Sequence, residues 1–347
     1  MQPYSPFPYY QPAPRPVITE EYIRQNEKRK LRKKSNGVGF YIFAYYTTLQ
    51  VIALIMMLVY NSAGIDLTTN HSAEYLLDIL ASVASALIPG LIYIMTSGFS
   101  IRNCFGKTMV RPMLLIPIVL MGMGVSMAAN FAADLFARNI SIFGLENHAG
   151  NIQTSAHSVL EIILSAVAIS IVPAFAEEFA FRGIVMGVLK KYGRAFALIC
   201  SSIMFGMMHS NTTQIVFATL LGLIIGYMDL MTDSIVPSVI LHFCNNFYAT
   251  LMDELESSGI LDERTLYTIY FIIVLLFCVG GLVSFIYMAR THKDLFRLSA
   301  SEKSELPYVD TMSYKDKLQA FFSSAGVIVS LITFVSITLL NLVPFEV

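Results

Sequence analysis

The sequence predicts an all-α protein, a polytopic transmembrane helical bundle of about nine spans with a cytoplasmic N-terminus. The evidence is a high apolar content, scarce charge, and apolar segments of span length that recur along the chain. Of the 347 residues, 55% are hydrophobic and 14% are charged, and the mean hydropathy is +0.63. Soluble domains carry about 25% charged residues, so a soluble globular domain is not expected. The formal net charge of −1 argues against a nucleic-acid partner, because such proteins are strongly basic.

Residues 1–37 are predicted to form a cytoplasmic tail that is disordered and rich in Pro and Tyr at first and then basic. Six of the 13 prolines fall within the first 16 positions, a composition that cannot bury a core. A basic run follows, which consists of Lys28, Arg29, Lys30, Arg32, Lys33 and Lys34. It is predicted to be an anchor attracted to anionic lipid.

Nine apolar segments then follow, and a membrane-spanning helix needs about 20 such residues. They are 38–60, 75–98, 112–136, 158–189, 194–210, 214–232, 234–252, 266–289 and 321–343. The fifth segment is marginal in length, whereas the fourth is too long for one simple span and carries charges near its middle. With the N-terminus inside, 20 of the 23 Lys and Arg residues fall in cytoplasmic segments, as the positive-inside rule requires.

The predicted localisation is therefore a multi-pass membrane protein, in the plasma membrane of a bacterium or the endoplasmic reticulum of a eukaryote. The four cysteines are scattered in or beside spans, and the sequence has no CxxC pair. Neither a disulfide framework nor a structural zinc site is indicated.

Charged residues in the interior of the fourth segment are the main functional signal, because charge at membrane depth is costly and marks function by default. On a helix Glu178 and Arg182 are four residues apart, in the order that favours an ion pair. Glu177 is rotated by about 100° and shares the arginine less easily. One carboxylate is therefore left for chemistry.

Two histidines and an asparagine lie in later spans. His209 ends the fifth segment, and His242 and Asn246 present one polar stripe on the seventh. At about 1.5 Å per residue, Glu177 and His209 both lie roughly 20 Å from the turn between their helices. We expect these groups to converge on one intramembrane site, and we expect Pro173 to kink the helix and open room for substrate or water.

Two chemistries fit this set of residues. In the favoured one, Glu177 and His209 polarise a water for attack on a peptide carbonyl, and His242 and Asn246 donate hydrogen bonds to the oxyanion. In the alternative, Glu177, His209 and His242 hold zinc, since His2Glu is a catalytic zinc set. The sequence contains no HExxH motif, so metal-independent water activation is preferred and no other cofactor is expected.

In chain order the residues read Glu177-Glu178…Arg182, then Phe205…His209, then His242…Asn246. This series resembles the CPBP family of intramembrane proteases, which includes the type II CAAX prenyl proteases and the bacterial Abi proteins. The family pattern is EExxxR, FxxxH and HxxxN or HxxxD. Each motif is weak alone, whereas all three in order within a polytopic protein form a strong signal. The resemblance covers residues 158–252.

The resemblance implies an endopeptidase in which Glu177, His209, His242 and Asn246 have the roles given above. It implies a supporting role for Glu178 and Arg182. The implied partners are the lipid bilayer and a peptide or protein substrate, lipidated or not. A catalytically silent immunity or scaffold protein of the same fold is the main alternative. A proton-coupled transporter is less favoured, because it would show paired discontinuous helices in two repeated halves.

The chain is accordingly divided into four parts. These are the tail (1–37), the N-terminal spans (38–157), the CPBP-like catalytic core (158–252), and the C-terminal spans (253–347), which include a cytoplasmic loop at 290–320.

Overall fold

The computed structural model describes residues 19–67, 69–142, 144–147, 158–296 and 311–344. The all-α prediction is confirmed over these residues. They form eleven helices, here named α1 to α11, and two strands of three residues each that pair with one another. The helices are α1 (Glu20–Ser62), α2 (His71–Ser97), α3 (Pro112–Ile142), α4 (Val159–Tyr192), α5 (Arg194–Met208), α6 (Thr212–Thr232), α7 (Val236–Ser257), α8 (Glu263–Thr291), α9 (Lys293–Phe296), α10 (Tyr314–Phe322) and α11 (Ala325–Leu340). The strands β1 (Leu145–Asn147) and β2 (Leu342–Pro344) are antiparallel.

The predicted count of nine spans is not confirmed. Among the described residues, six helices are long and apolar enough to cross a membrane, namely α1, α2, α3, α4, α6 and α8. A seventh span results if α10 and α11, which meet at a 67° bend, are taken together. Each of the nine predicted segments is mostly helical, although the last ends in β2, and α5 has only 15 residues. The polar residues His242, Asn245 and Asn246 lower the hydropathy of α7, which is not among the candidates.

Helix α1 begins earlier than the first apolar segment. The Thr19 hydroxyl accepts a hydrogen bond from the Tyr22 amide and caps the helix, which then continues without interruption to Ser62. The basic run is therefore helical, and it is continuous with the apolar part of α1 that forms the first predicted span. The predicted disordered residues 1–18 lie outside the described residues, as does much of the predicted loop 290–320.

Close helix contacts rely on glycine, as is common where helices pack in a membrane. A Cβ on Gly39 of α1 would lie 2.1 Å from the amide nitrogen of Val327 in α11. A Cβ on Gly124 of α3 would lie 2.9 Å from the carbonyl oxygen of Phe277 in α8. Any larger residue at these two positions would force the helix backbones apart.

The buried side chains form two clusters. One joins α1, α2, α4, α5, α6, α10 and α11, and it includes Phe205. The other joins α3, α6, α7 and α8, and it includes Leu241, the neighbour of His242. Helix α6 thus contributes to both clusters, and α4 contacts α7 directly.

Helix α4 departs from α-geometry on both sides of the two glutamates. Residues Ala166–Ile171 and Phe179–Met186 have π-helical hydrogen bonding, and Val172–Glu178 between them is α-helical. Such π-helical turns are rare and often occur at functional sites. Pro173 removes the N–H that would bond to Ile169 in the first π-helical segment, but the second segment starts six residues after the proline and needs another cause.

Candidate active site

Glu178 is the most deeply buried carboxylate of the predicted site. Its side chain has no exposed surface and forms an ion pair with Arg182, whose Nε lies 3.2 Å from Oε2. Its other oxygen, Oε1, lies 2.8 Å from Nδ1 of His242 on α7. The predicted pairing of Glu178 with Arg182 is therefore present, and the same carboxylate also fixes the histidine of another helix.

Arg182 has two kinds of contact besides its ion pair with Glu178. Its Nη2 donates a hydrogen bond to the Gly222 carbonyl, 3.0 Å away. Its Cζ lies 4.5 Å from the centre of the Phe205 ring, an arrangement that favours a cation. A Cβ on Gly222 would lie 3.2 Å from Nη2, so α6 approaches the guanidinium closely because residue 222 has no side chain.

Glu177 differs from its neighbour in exposure and in partners. Its side chain is 18% exposed, and Oε2 lies 3.8 Å from Nε2 of His242. No hydrogen bond to the Glu177 carboxylate is present among the described residues. His242 thus lies between the two carboxylates, since it forms a hydrogen bond with Glu178 and faces Glu177. Glu177 retains oxygens that can bind a water.

The hydrogen bond to Glu178 defines the protonation of His242. An ionised carboxylate only accepts hydrogen bonds, so Nδ1 of His242 carries the proton of that bond. Nε2 then carries a proton only when the ring is an imidazolium. In that state the charges of His242 and Arg182 balance those of the two glutamates.

His209 is the cap residue at the end of α5 and is half-buried. Its Nδ1 lies 2.9 Å from the Phe205 carbonyl oxygen. A carbonyl can only accept, so Nδ1 carries the proton and Nε2 of the neutral ring has a free lone pair. The Phe205 ring centre lies 5.1 Å from that of His209 and 5.9 Å from that of His242, edge-on to both. One phenylalanine thus separates and orients the two histidines.

Asn246 is placed through a proline on the neighbouring helix. Pro173 lacks the N–H that an α-helix would direct at the Ile169 carbonyl, four residues earlier. This carbonyl instead accepts a hydrogen bond from Nδ2 of Asn246, 3.2 Å away. The second N–H of the same amide remains for a ligand. The adjacent Asn245 is more deeply buried, and its Oδ1 accepts a hydrogen bond of 2.6 Å from Ser126.

The structure brings together Glu177, Glu178, Arg182 and His242 by direct contact. His209 joins them through the ring of Phe205, and Asn246 lies one helical turn beyond His242. No contact between Glu177 and His209 is present among the described residues. Nor do these residues contain a group of three His, Cys, Asp or Glu side chains able to hold a metal ion.

Three residues that contact charged side chains of α4 were not predicted from the sequence. Phe205 belongs to the FxxxH motif, but the motif does not predict that its ring contacts Arg182 and both histidines. Gly222 gave no local signal, because its importance comes from the approach of α6 to α4. The third is Asp229, buried on α6 and paired with Lys190 at 2.6 Å. Asp229 could have been noticed as a charge within an apolar segment.

Two comparisons with known proteins concern the part of the chain that contains these residues. Residues 159–248 match the family model described as type II CAAX prenyl endopeptidase, Rce1-like. The chain is also 25% identical over 144 residues to "Putative membrane peptidase YdiL" of Bacillus subtilis (strain 168). That similarity covers 40% of this chain and 59% of the relative. No solved structure matches the chain. The predicted resemblance to the CPBP family is confirmed, and the chain is an integral membrane protein with a CAAX-protease-like segment.

Proposed function

We propose that this chain is an intramembrane endopeptidase that hydrolyses peptide bonds of membrane-associated proteins or peptides. The observation that carries the proposal is the position of His242 between two adjacent carboxylates of another helix. It contacts Glu178 at 2.8 Å and faces Glu177 at 3.8 Å. The family match and the named membrane peptidase support the general activity. The residue roles below are part of the proposal.

Glu177 is the general base in this mechanism. It accepts a proton from a water molecule, whose oxygen attacks the carbonyl carbon of the scissile bond. General bases of this kind contribute about 10²–10⁴-fold to the rate. The partial exposure of Glu177 leaves room for the water, whereas the fully buried Glu178 is occupied by Arg182 and His242.

The tetrahedral intermediate carries a negative oxygen that needs hydrogen-bond donors. The second N–H of Asn246 can supply one, and the imidazolium form of His242 can supply another through Nε2. His209, with a free lone pair on Nε2, helps to orient the attacking water. Glu177 then passes its proton to the leaving nitrogen as the carbon–nitrogen bond breaks. The water has by then been divided between the new carboxyl group and the new amine.

Glu178 and Arg182 have positioning roles in this scheme. Glu178 orients His242 through Nδ1, and Arg182 offsets the charge of Glu178 so that Glu177 is not left beside an uncompensated neighbour. A lipidated substrate of the CAAX type is a proposal that rests on the family description alone. Among membranes, the bacterial plasma membrane remains the predicted location.

The test compares peptide termini in membranes that contain the wild-type protein or the Glu177→Gln variant, by mass spectrometry. Glutamine keeps the size of the side chain but cannot take the proton, so new termini should fall by at least about 100-fold. The matched control is Asp134→Asn, which changes an exposed carboxylate of α3 and should leave cleavage unchanged. Equal cleavage by Glu177→Gln and wild type would instead favour the silent scaffold protein.

A further inference from the structure

A groove of about 730 Å³ lies between α1, α2 and the end of α4, away from the glutamates. Pockets that hold small ligands typically have about 300–1,000 Å³. The groove has two chemically different parts. One part is apolar, and its lining includes Phe40, Ile88 and Ile92, which are 46%, 49% and 58% exposed. The other part is basic.

The basic part is formed by four lysines, namely Lys30, Lys33, Lys34 and Lys191. Lys30 is paired with Glu27 at 2.9 Å, and Lys34 donates to the Ser97 carbonyl. Lys33 has no acidic partner among the described residues, and Lys191 contacts the ring of Tyr192. Of the four lysines, only Lys30 forms an ion pair in the described part of the chain, and its partner Glu27 also acts on the charge of Lys191. The positive charges of the groove thus exceed the negative charge beside them at one end of an apolar channel.

The groove follows one face of α1. Lys33, Gly37, Tyr41, Ala44 and Thr48 all line it and recur at three- or four-residue spacing, as residues on one helical face do. At about 1.5 Å per residue this stripe is roughly 22 Å long. One leaflet contributes about half of a hydrocarbon core about 30 Å thick. The stripe is therefore long enough to accompany an acyl chain across its leaflet.

Two features suggest that the groove accepts a ligand along its length. Gly37 leaves the space open, since even an added Cβ there would be 3.5 Å from the nearest Tyr93 atom. Tyr41 lines the groove but is 3% exposed, and its buried hydroxyl has no hydrogen-bond partner in the described part of the chain. The side chain would have to turn toward the groove for this hydroxyl to reach a polar group of a ligand.

We propose that this groove is a binding site for one anionic phospholipid, with the phosphate at the lysines and an acyl chain along the apolar stripe of α1 and α2. Charge complementarity selects an anion, and the apolar wall selects a molecule with a hydrocarbon chain. A free phosphate would use only the lysines. The site is separate from the proposed active site and does not depend on its chemistry.

The test measures lipid binding to the purified full chain by native mass spectrometry, with dioleoyl phosphatidylglycerol and dioleoyl phosphatidylcholine as probes. The wild type should prefer phosphatidylglycerol by about tenfold or more, as expected for several lysines near one phosphate. Lys33→Gln/Lys191→Gln should remove that preference. The matched control is Lys107→Gln, which changes an exposed lysine outside the groove and should keep it.

A second pair of variants tests the acyl chain. Gly37→Phe should weaken binding of both lipids by filling the channel, whereas Gly37→Ala should bind them as the wild type does. An unchanged preference in the double lysine variant would overturn the proposal. So would full binding by a Gly37→Phe protein with wild-type melting temperature, or competition by inorganic phosphate at the same concentration as the lipid. If Gly37→Phe does not fold, the surface lysine variants decide the matter.

Discussion

Helix α4 carries two buried ion pairs, and they differ in what else their carboxylates contact. Near its middle, Glu178 pairs with Arg182 and also with His242, which in turn faces the second carboxylate of Glu177. Near its end, Lys190 pairs with Asp229 of α6. Both carboxylates are nearly inaccessible, with 0% and 2% of their side chains exposed.

The comparison shows that burial of a charged pair does not identify an active site. The Lys190–Asp229 pair joins two helices, and its lysine is 25% exposed at the end of α4. The middle pair instead holds a histidine whose other nitrogen faces a carboxylate with unused oxygens. We expect reactivity where a buried ion pair also positions a titratable side chain, as Glu178 positions His242 beside Glu177.

The largest expected effect is that of Glu178→Gln. It removes the negative charge that pairs with His242, although the glutamine oxygen can still accept its hydrogen bond, and it leaves Arg182, which is 1% exposed, without a carboxylate. Cleavage should fall as far as in Glu177→Gln, and the free energy of unfolding should decrease by about 3–5 kcal/mol. A denaturant titration in detergent micelles, with the cleavage assay alongside, measures both.

Two further variants separate activity from stability at the middle pair. Glu178→Gln/Arg182→Met should recover most of the lost stability, because replacing both partners of a buried pair is often neutral, but should stay inactive. Glu177→Gln should unfold like the wild type. An active Glu178→Gln protein would show that His242 does not need a charged partner at Nδ1.

The next effect distinguishes two adjacent amides of α7. Asn246→Ala should lower kcat by about 10²–10³-fold, the usual cost of one oxyanion donor. Asn245→Ala should act mainly on stability, by about 1–3 kcal/mol, because it leaves the buried Ser126 hydroxyl without its acceptor. Steady-state kinetics and melting curves of both variants check this difference. Equal losses of kcat would remove Asn246 from the proposed mechanism.

The smallest effect on activity is expected at the end of α4. Lys190→Met leaves Asp229 buried without its cation, so the free energy of unfolding should fall by about 3 kcal/mol. The cleavage rate per folded molecule should change by less than about threefold. Lys190→Met/Asp229→Leu should regain stability. A large loss of kcat in the stable double variant would mean that the second pair also serves the chemistry.

Much of the site was predictable from the sequence because its residues are polar exceptions in apolar segments. Glu177, Glu178, Arg182, His209, His242 and Asn246 stand out in this way, and the helical spacing of Glu178 and Arg182 predicts their ion pair. The spacing of residues along one helix does not predict which side chains of other helices these residues contact. His242 was expected to face substrate, whereas one of its nitrogens is bound to Glu178.

The fold was predictable in class but less so in detail. Apolar segments predict helices well, but a count of spans needs a length and hydropathy that α5 and α7 do not reach. In the case of α7, the polar side chains of the proposed site lower the hydropathy. The π-helical segments of α4 also have no simple sequence signal, because their hydrogen bonding depends on packing against other helices.

The two π-helical segments of α4 help to determine which way the glutamates face relative to the rest of the helix. A π-helical turn closes its hydrogen bond five residues on rather than four, so it holds one residue more than an α-turn. If Ala166–Ile171 kept its six residues but were α-helical, the part of α4 that precedes it would be rotated by about 100° relative to Glu177. Residues Val159–Ser165 would then face other neighbours, while every site side chain was still present. The hydrogen bonding of this stretch, and not only its composition, is thus part of what the site requires.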